Sequence, residues 1–182
     1  VIMAWTSPPT VVARDIVTAA LWNTSVRDNL NECAIAKAGT SGRIFTATAA
    51  NAMAERVPDS GLVATGQTTA STTYVDLATA GPAVTHSTGI RCMASWGAIM
   101  SNSTLGLGAR MACALSGSNT VAASDTNSAA CESGLANDAF QITWTTIFDP
   151  ITAGSLTLTS KYRAIGGGTA SFTTRIMTMF PF

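Results

Sequence analysis

From Leu62 to the last residue the chain shows no helical repeat of apolar side chains, and that restricts what it can fold into. Apolar and polar side chains alternate there instead. Leu156 and Leu158 are set against Thr157 and Thr159, and Phe172 and Ile176 against Thr173 and Arg175. A period of two sends successive side chains to opposite faces of a strand, so one face can meet a core. Extended stretches are predicted at about residues 62–68, 72–78, 83–86, 90–100, 107–116, 119–124, 139–148, 154–164 and 169–180. Turn formers separate many of them: Gly81-Pro82, Ser101-Asn102-Ser103, Ser116-Gly117-Ser118-Asn119 and Gly166-Gly167-Gly168, the last read as a hairpin turn. Such a succession predicts a mainly β domain over residues 62–182, an antiparallel jelly roll or β-sandwich.

Composition narrows the function. Only 11% of the 182 residues are charged while 47% are hydrophobic, so Thr, Ser, Asn and Gly must cover much of the surface. Ten basic and ten acidic side chains cancel, which leaves no sustained positive field for a phosphate backbone and disfavours nucleic acid as a partner. A weakly charged surface gives little protection against association, so a symmetric oligomer is expected. No apolar run approaches the roughly 18 residues of a membrane-spanning helix, and no membrane partner is expected. The opening Val1-Ile2-Met3-Ala4-Trp5 is too short, and too close to Ser7-Pro8-Pro9, for a signal peptide.

The first third reads differently. Pro8 and Pro9 force an extended arm over residues 1 to 14. From Thr18 to about residue 36, Trp22, Val26, Leu30 and Cys33 recur at spacings of four, four and three, which predicts an amphipathic helix capped by Thr18 and stopped by Gly39. With no later helix in the chain, that stripe cannot bury itself in a helical bundle of its own; it must meet the β domain, copies of itself or a partner. Residues 39–61, with Gly39, Gly42, Pro58, Gly61 and the small-residue run from Ala47 to Ala52, read as a connector holding at most one short ordered element. The expected organisation is thus arm and helix at 1–38, connector at 39–61 and β domain at 62–182.

Little in the sequence points to catalysis. The one histidine, His86, ends a short predicted strand and has no nucleophile motif beside it. Asp125, Glu132, Asp138 and Asp149 could supply a glycosidase-like pair, but three of them fall in turns or at strand ends, where Asp bonds nearby backbone. The triple glycine lacks the Lys-Ser/Thr of a phosphate loop. Trp96 and Trp144 could form a sugar-stacking platform, although positions inside long strands favour packing. The four cysteines show no zinc spacing and read first as buried free thiols. A Cys92–Cys113 disulfide is the alternative if their strands form a hairpin centred on Asn102-Ser103. No enzyme activity, metal or cofactor is expected.

Trp5-Thr6-Ser7-Pro8, followed by Ile16-Val17-Thr18-Ala19-Ala20-Leu21-Trp22-Asn23-Thr24-Ser25-Val26-Arg27-Asp28-Asn29-Leu30, resembles the start of a family of small bacteriophage virion proteins. The likeness continues in Ala54-Glu55-Arg56, in Thr72 to Thr79 with Gly81 to Thr85, and in Thr152-Ala153-Gly154-Ser155 with Lys161-Tyr162-Arg163. The resemblance implies a virion protein, assembled in the host cytoplasm, whose N-terminal segment attaches to the particle and whose β domain projects outward as a homotrimer. The expectation is a capsid decoration or head-fibre protein that binds other virion proteins such as the major capsid protein. Trp5, Leu21, Trp22, Val26 and Leu30 are the expected anchoring contacts, because they lack an intrachain home. The second reading is a receptor-binding tail component or lectin-like module that recognises host surface glycans. It expects exposed aromatics beside Asn and Asp in loops such as 101–108 or 125–138.

Overall fold

The computed structural model describes residues 16, 18–27, 30, 39–49, 52–132 and 134–182. The expected arm with Trp5, and also Cys33, lie outside the described residues. The chain divides into two compact units, Val1–Val57 and Pro58–Phe182.

In the first unit a short helix, α1 (Ala19–Trp22), runs into a π-helical turn over Asn23–Arg27. Thr18 caps it as expected, in extended backbone with its Oγ1 accepting the N–H of Leu21 at 3.2 Å. Residues 39–61 depart from the expected connector. Two strands, β1 (Ile44–Ala49) and β2 (Ala52–Arg56), pair antiparallel with Ile44 opposite Arg56, and the third strand of the chain begins at Asp59. The run of small residues had masked the strands, because Ala gives no contrast between a buried and an open face.

The second unit is mainly β. One antiparallel sheet contains, in spatial order, β3 (Asp59–Val63), β11 (Ala170–Pro181), β6 (Cys92–Asn102) and β9 (Phe140–Phe148), with β4 (Gln67–Thr69) also paired to β11. The other contains β5 (Ala83–Thr88), β10 (Gly154–Ile165), β7 (Gly108–Gly117) and β8 (Ser128–Glu132). A single core lies between them: Trp96, Met100, Phe172, Met177 and Met179 from the first sheet meet Met111, Leu115, Leu156, Leu158 and Tyr162 from the second. Tyr162 and Phe172 make an edge contact across it, with ring centroids 4.9 Å apart. β10 alternates as its sequence predicts, with Leu156, Leu158, Tyr162 and Ala164 buried and Thr157, Thr159, Lys161 and Arg163 on the other face. Each fully buried Leu or Met stabilises the fold by about 1.5–3 kcal/mol.

Several sequence expectations change at this level. Residues 72–78 and 119–124 contribute only isolated bridges, Val75 to Tyr162 and Val121 to Leu115, in place of strands. β8 arises instead from Ser-Ala-Ala-Cys-Glu, in which the small side chains of Ser128, Ala129 and Cys131 are buried. The triple glycine does not close a hairpin, since β10 and β11 lie in different sheets. It carries the chain from one sheet to the other with all three φ angles positive. In β11 the pairing register shifts between Thr173 and Ile176, with Thr174 at φ 48°. This bulge reverses the expected faces: Arg175 is fully buried and Ile176 is exposed.

Candidate functional site

The five-stranded sheet turns an uncharged face outward. Register places Phe180, Met93 and Ile147 in one row across three strands. Ser60, Thr178, Ser95 and Thr145 form the next, with the Thr145 hydroxyl donating to Ser95 Oγ at 3.0 Å. Leu62, Ile176, Gly97 and Thr143 follow, and then Thr173, Ile99 and Gln141. No charged side chain interrupts these rows, yet Leu62 is 63% exposed, Ile147 59% and Ile176 39%. The face ends at β9, which among the described residues is hydrogen-bonded on one side only, to β6. Its sequence, FQITWTTIF, has no charge, proline or glycine, and Phe140 and Trp144 are 41% and 43% exposed. Sheet edges are ordinarily guarded by charged residues or proline.

The outer face of the other sheet has the opposite character. Arg110, Lys161 and Arg163 stand on it, and loops 70–78 and 118–127 lie over it. Asp125 gathers the cluster. Arg163 donates to both its carboxylate oxygens, from Nε at 3.0 Å and Nη2 at 2.6 Å, and the Tyr74 hydroxyl donates at 2.9 Å. Arg110 Nη1 lies 3.7 Å from the same carboxylate and donates to the Asp125 carbonyl at 3.2 Å. The forked Arg163 bond is the main cause holding the Asp125 carboxyl below its ordinary range. The Arg163 guanidinium also sits 5.5 Å from the centre of the Tyr74 ring, and burial pushes the Tyr74 hydroxyl's pKa up. Beside this cluster a shallow cleft of about 360 Å³ is lined by Tyr74, Val75, Asp76, Ala114, Ala122, Ala123 and Lys161. Lys161 Nζ donates to both carboxylate oxygens of Asp76 at 2.8 Å.

The residues singled out from sequence are scattered by comparison. Trp22 and Leu30 are exposed, at 57% and 62%, and Leu21 and Val26 half-buried; Trp5 lies outside the described residues. Cys92 and Cys113 are free thiols, and the hairpin that was to align them does not form, since β6 and β7 belong to different sheets. Both line the core, where burial pushes their pKa values up to about 11 and about 12. Cys131 is also free and buried, with its thiol shifted upward by the same cause.

His86 bonds Asp59 at 2.9 Å, and this bond is the largest cause of the lowered Asp59 carboxyl. Asp138 and Asp149 lie beyond opposite ends of β9, whose strand alone spans about 26 Å at ~3.3 Å per residue, too far to flank one glycosidic bond; Asp149 pairs with Arg91 at 2.9 Å. Among the described residues no cluster of three or more His, Cys, Asp or Glu is placed to hold a metal ion. Trp96 is fully buried and stacks on Phe148, so it shares no exposed platform with Trp144.

In loops 101–108 and 125–138, where the glycan reading expects exposed aromatics, the large exposed apolar side chains among the described residues are Leu105 and Leu135. Tyr74 falls outside those loops, in residues 72–78, which the sequence predicts as a strand. The usable signal was Thr-Thr-Tyr-Val-Asp, too short and polar for a core strand. No protein-family model matches the chain, and neither does any curated protein.

Proposed function

We propose that the chain is a self-associating structural protein of a bacteriophage particle, a capsid decoration or head-fibre protein. Residues 1–38 attach it to other virion proteins such as the major capsid protein, with Trp5, Leu21, Trp22, Val26 and Leu30 as contacts. The β unit projects as a homotrimer. The observation that carries this reading is the uncharged outer face of the five-stranded sheet. Exposed Leu62, Ile147 and Ile176 on rows without Lys, Arg, Asp or Glu, bounded at one end by the Arg91–Asp149 pair, are what one half of a subunit interface looks like. The number of copies, and the attachment to a phage particle, come from the sequence resemblance.

Strand order supports a jelly roll as the finer description. Of the eight strands β3 and β5 to β11, the first neighbours the eighth, then the third and the sixth. In the facing sheet the second neighbours the seventh, then the fourth and the fifth. A chain folded back on itself as a long ribbon and rolled up gives that order.

Light scattering on the full chain tests the reading. The expected result is three times the chain mass for the native protein, and the mass of one chain for Ile176→Lys combined with Ile147→Lys. Both side chains are exposed in the single chain, so the exchange leaves its core intact. A native chain that is monomeric at tens of micromolar ends the self-association reading. A trimer that survives both lysines moves the interface to another surface.

A further inference from the structure

The cleft on the four-stranded sheet has a composition the self-association reading does not use. We infer that it binds a single neutral pyranose ring, the terminal sugar of a surface glycan, by stacking on Tyr74 and bridging Asp76 and Lys161 through two adjacent hydroxyls. Three features support this, and none depends on the oligomeric state.

Tyr74 is held at both ends of its side chain. Its backbone neighbour Val75 exchanges two hydrogen bonds with Tyr162, at 2.9 and 3.0 Å, and its hydroxyl is tied to Asp125. Arg163 covers one side of the ring. An aromatic ring fixed in this way loses no side-chain freedom when a sugar's C–H face packs on its remaining side.

Asp76 and Lys161 supply the polar half. The carboxylate only accepts hydrogen bonds and the ammonium only donates them. Their atoms lie 2.8 Å apart, near the spacing of two neighbouring hydroxyl oxygens on a sugar ring. One hydroxyl can therefore donate to Asp76 while its neighbour accepts from Lys161. The two charges cancel, which suits a neutral ligand, and the Asp76 side chain is 68% exposed, so a ligand reaches it without opening the fold.

Ala114, Ala122 and Ala123 supply the space. Small side chains at these three lining positions leave about 360 Å³, within the range of small-ligand sites and far below what a folded partner needs. A shallow cleft with two polar contacts implies weak binding, a Kd of roughly 1 mM per site. Several copies on one particle would raise the avidity by orders of magnitude without new contacts.

Saturation-transfer NMR on the full chain tests this, with the methyl glycosides of glucose, galactose and mannose at about 10 mM, some tenfold above the expected Kd. Transfer to at least one of the three is expected, strongest at the ring protons of the face that packs on Tyr74. Asp76→Asn removes the charge from the polar pair and Ala123→Phe fills the cleft, and each should weaken binding at least tenfold while leaving the melting temperature within a degree or two. Ala123→Phe leaves the polar pair untouched, and Asp76→Asn leaves the packing untouched, so misfolding of one does not spare the proposal the other. No transfer to any of the three sugars overturns it, as does transfer that both variants retain. Transfer to an acidic sugar alone overturns the assignment of a neutral ligand. Each of these outcomes is independent of the mass measurement, because a monomer and a trimer carry the same cleft.

Discussion

Replacing Asn102 by Asp changes almost no volume and should still be among the most damaging substitutions in the β unit. Asn102 is 1% exposed. Its Nδ2 donates to the carbonyls of Gly108 at 2.8 Å and Gly167 at 3.0 Å, and its Oδ1 accepts the N–H of Thr104 at 3.0 Å. One amide thus fastens two sheet-to-sheet connections, 103–107 and 166–169. A carboxylate keeps the Thr104 bond and turns the other two into contacts between lone pairs. Two hydrogen bonds at about 1 kcal/mol each, and two carbonyls left facing an acceptor at about 1–3 kcal/mol each, give a loss of roughly 3–5 kcal/mol once Gly167, at the less buried end, finds water.

The sign with pH follows from the same geometry. The buried carboxyl has a folded-state pKa raised above its unfolded value of about 3.9. The damage therefore grows as pH rises from about 4 and levels off above the folded pKa, by about 1.4 kcal/mol for each unit of separation. At low pH the protonated acid regains one donor. Urea unfolding of variant and native protein side by side at pH 4 and pH 7, followed by tryptophan fluorescence with Trp96 in the core as reporter, measures both quantities. A difference below about 1 kcal/mol at pH 7, or one that does not change between the two pH values, would refute the assignment of Asn102 as a donor to both connections.

Two further outcomes are expected. Thr174 holds φ at 48°, a region that costs a β-branched residue about 1–2 kcal/mol, so Thr174→Gly should gain about 0.5–1 kcal/mol after the entropy of glycine is set against it; a loss of stability in urea would contradict the bulge geometry. Cys92, Cys113 and Cys131 should resist a disulfide reagent at pH 8 in the native protein and react once it is unfolded, because burial keeps all three protonated; fast reaction of more than one thiol in the folded chain argues against that core.

Legibility in the sequence followed contrast between neighbouring side chains. β10 was plain because Leu156 and Leu158 alternate with threonines, a difference large enough to fix which face is buried. β8 was invisible because Ser, Ala and Cys differ little in polarity, and Ala129 and Cys131 are buried by the company of the facing sheet and not by their own periodicity. In β11 the alternation was readable up to Phe172 and misleading after it. One extra residue at Thr174 shifts the phase, and nothing in Thr-Thr-Arg-Ile announces a positive φ. Arg175 turns inward there because the loops supply acceptors. Its Nη1 and Nη2 donate to the carbonyls of Thr79 and Thr65 at 3.0 Å, and its guanidinium lies 5.5 Å from the Tyr162 ring centre. Those partners are 96 and 110 residues away, beyond any local pattern. The cleft was hidden for the same reason: Tyr74, Asp76 and Lys161 become a site only when loop 70–78 meets β10.

The small stock of charge in this chain is distributed unevenly, and that unevenness links the two proposals. A sheet whose outer face lies in water would gain solubility from Lys or Glu at its outward positions, and Ser, Thr and Ile at those positions offer none. On the four-stranded sheet Arg110, Lys161 and Arg163 take such positions, each answered by Asp76 or Asp125. On the five-stranded sheet none stands within the rows, and the paired charges Arg91 and Asp149 lie only at their end. Random placement under a low charge count would thin both faces alike. Rows kept free of charge on one sheet, beside paired charges under the loops of the other, are instead the arrangement expected if the first is covered by other copies and the second is closed by its own loops, with the cleft beside Asp76 left open to a ligand.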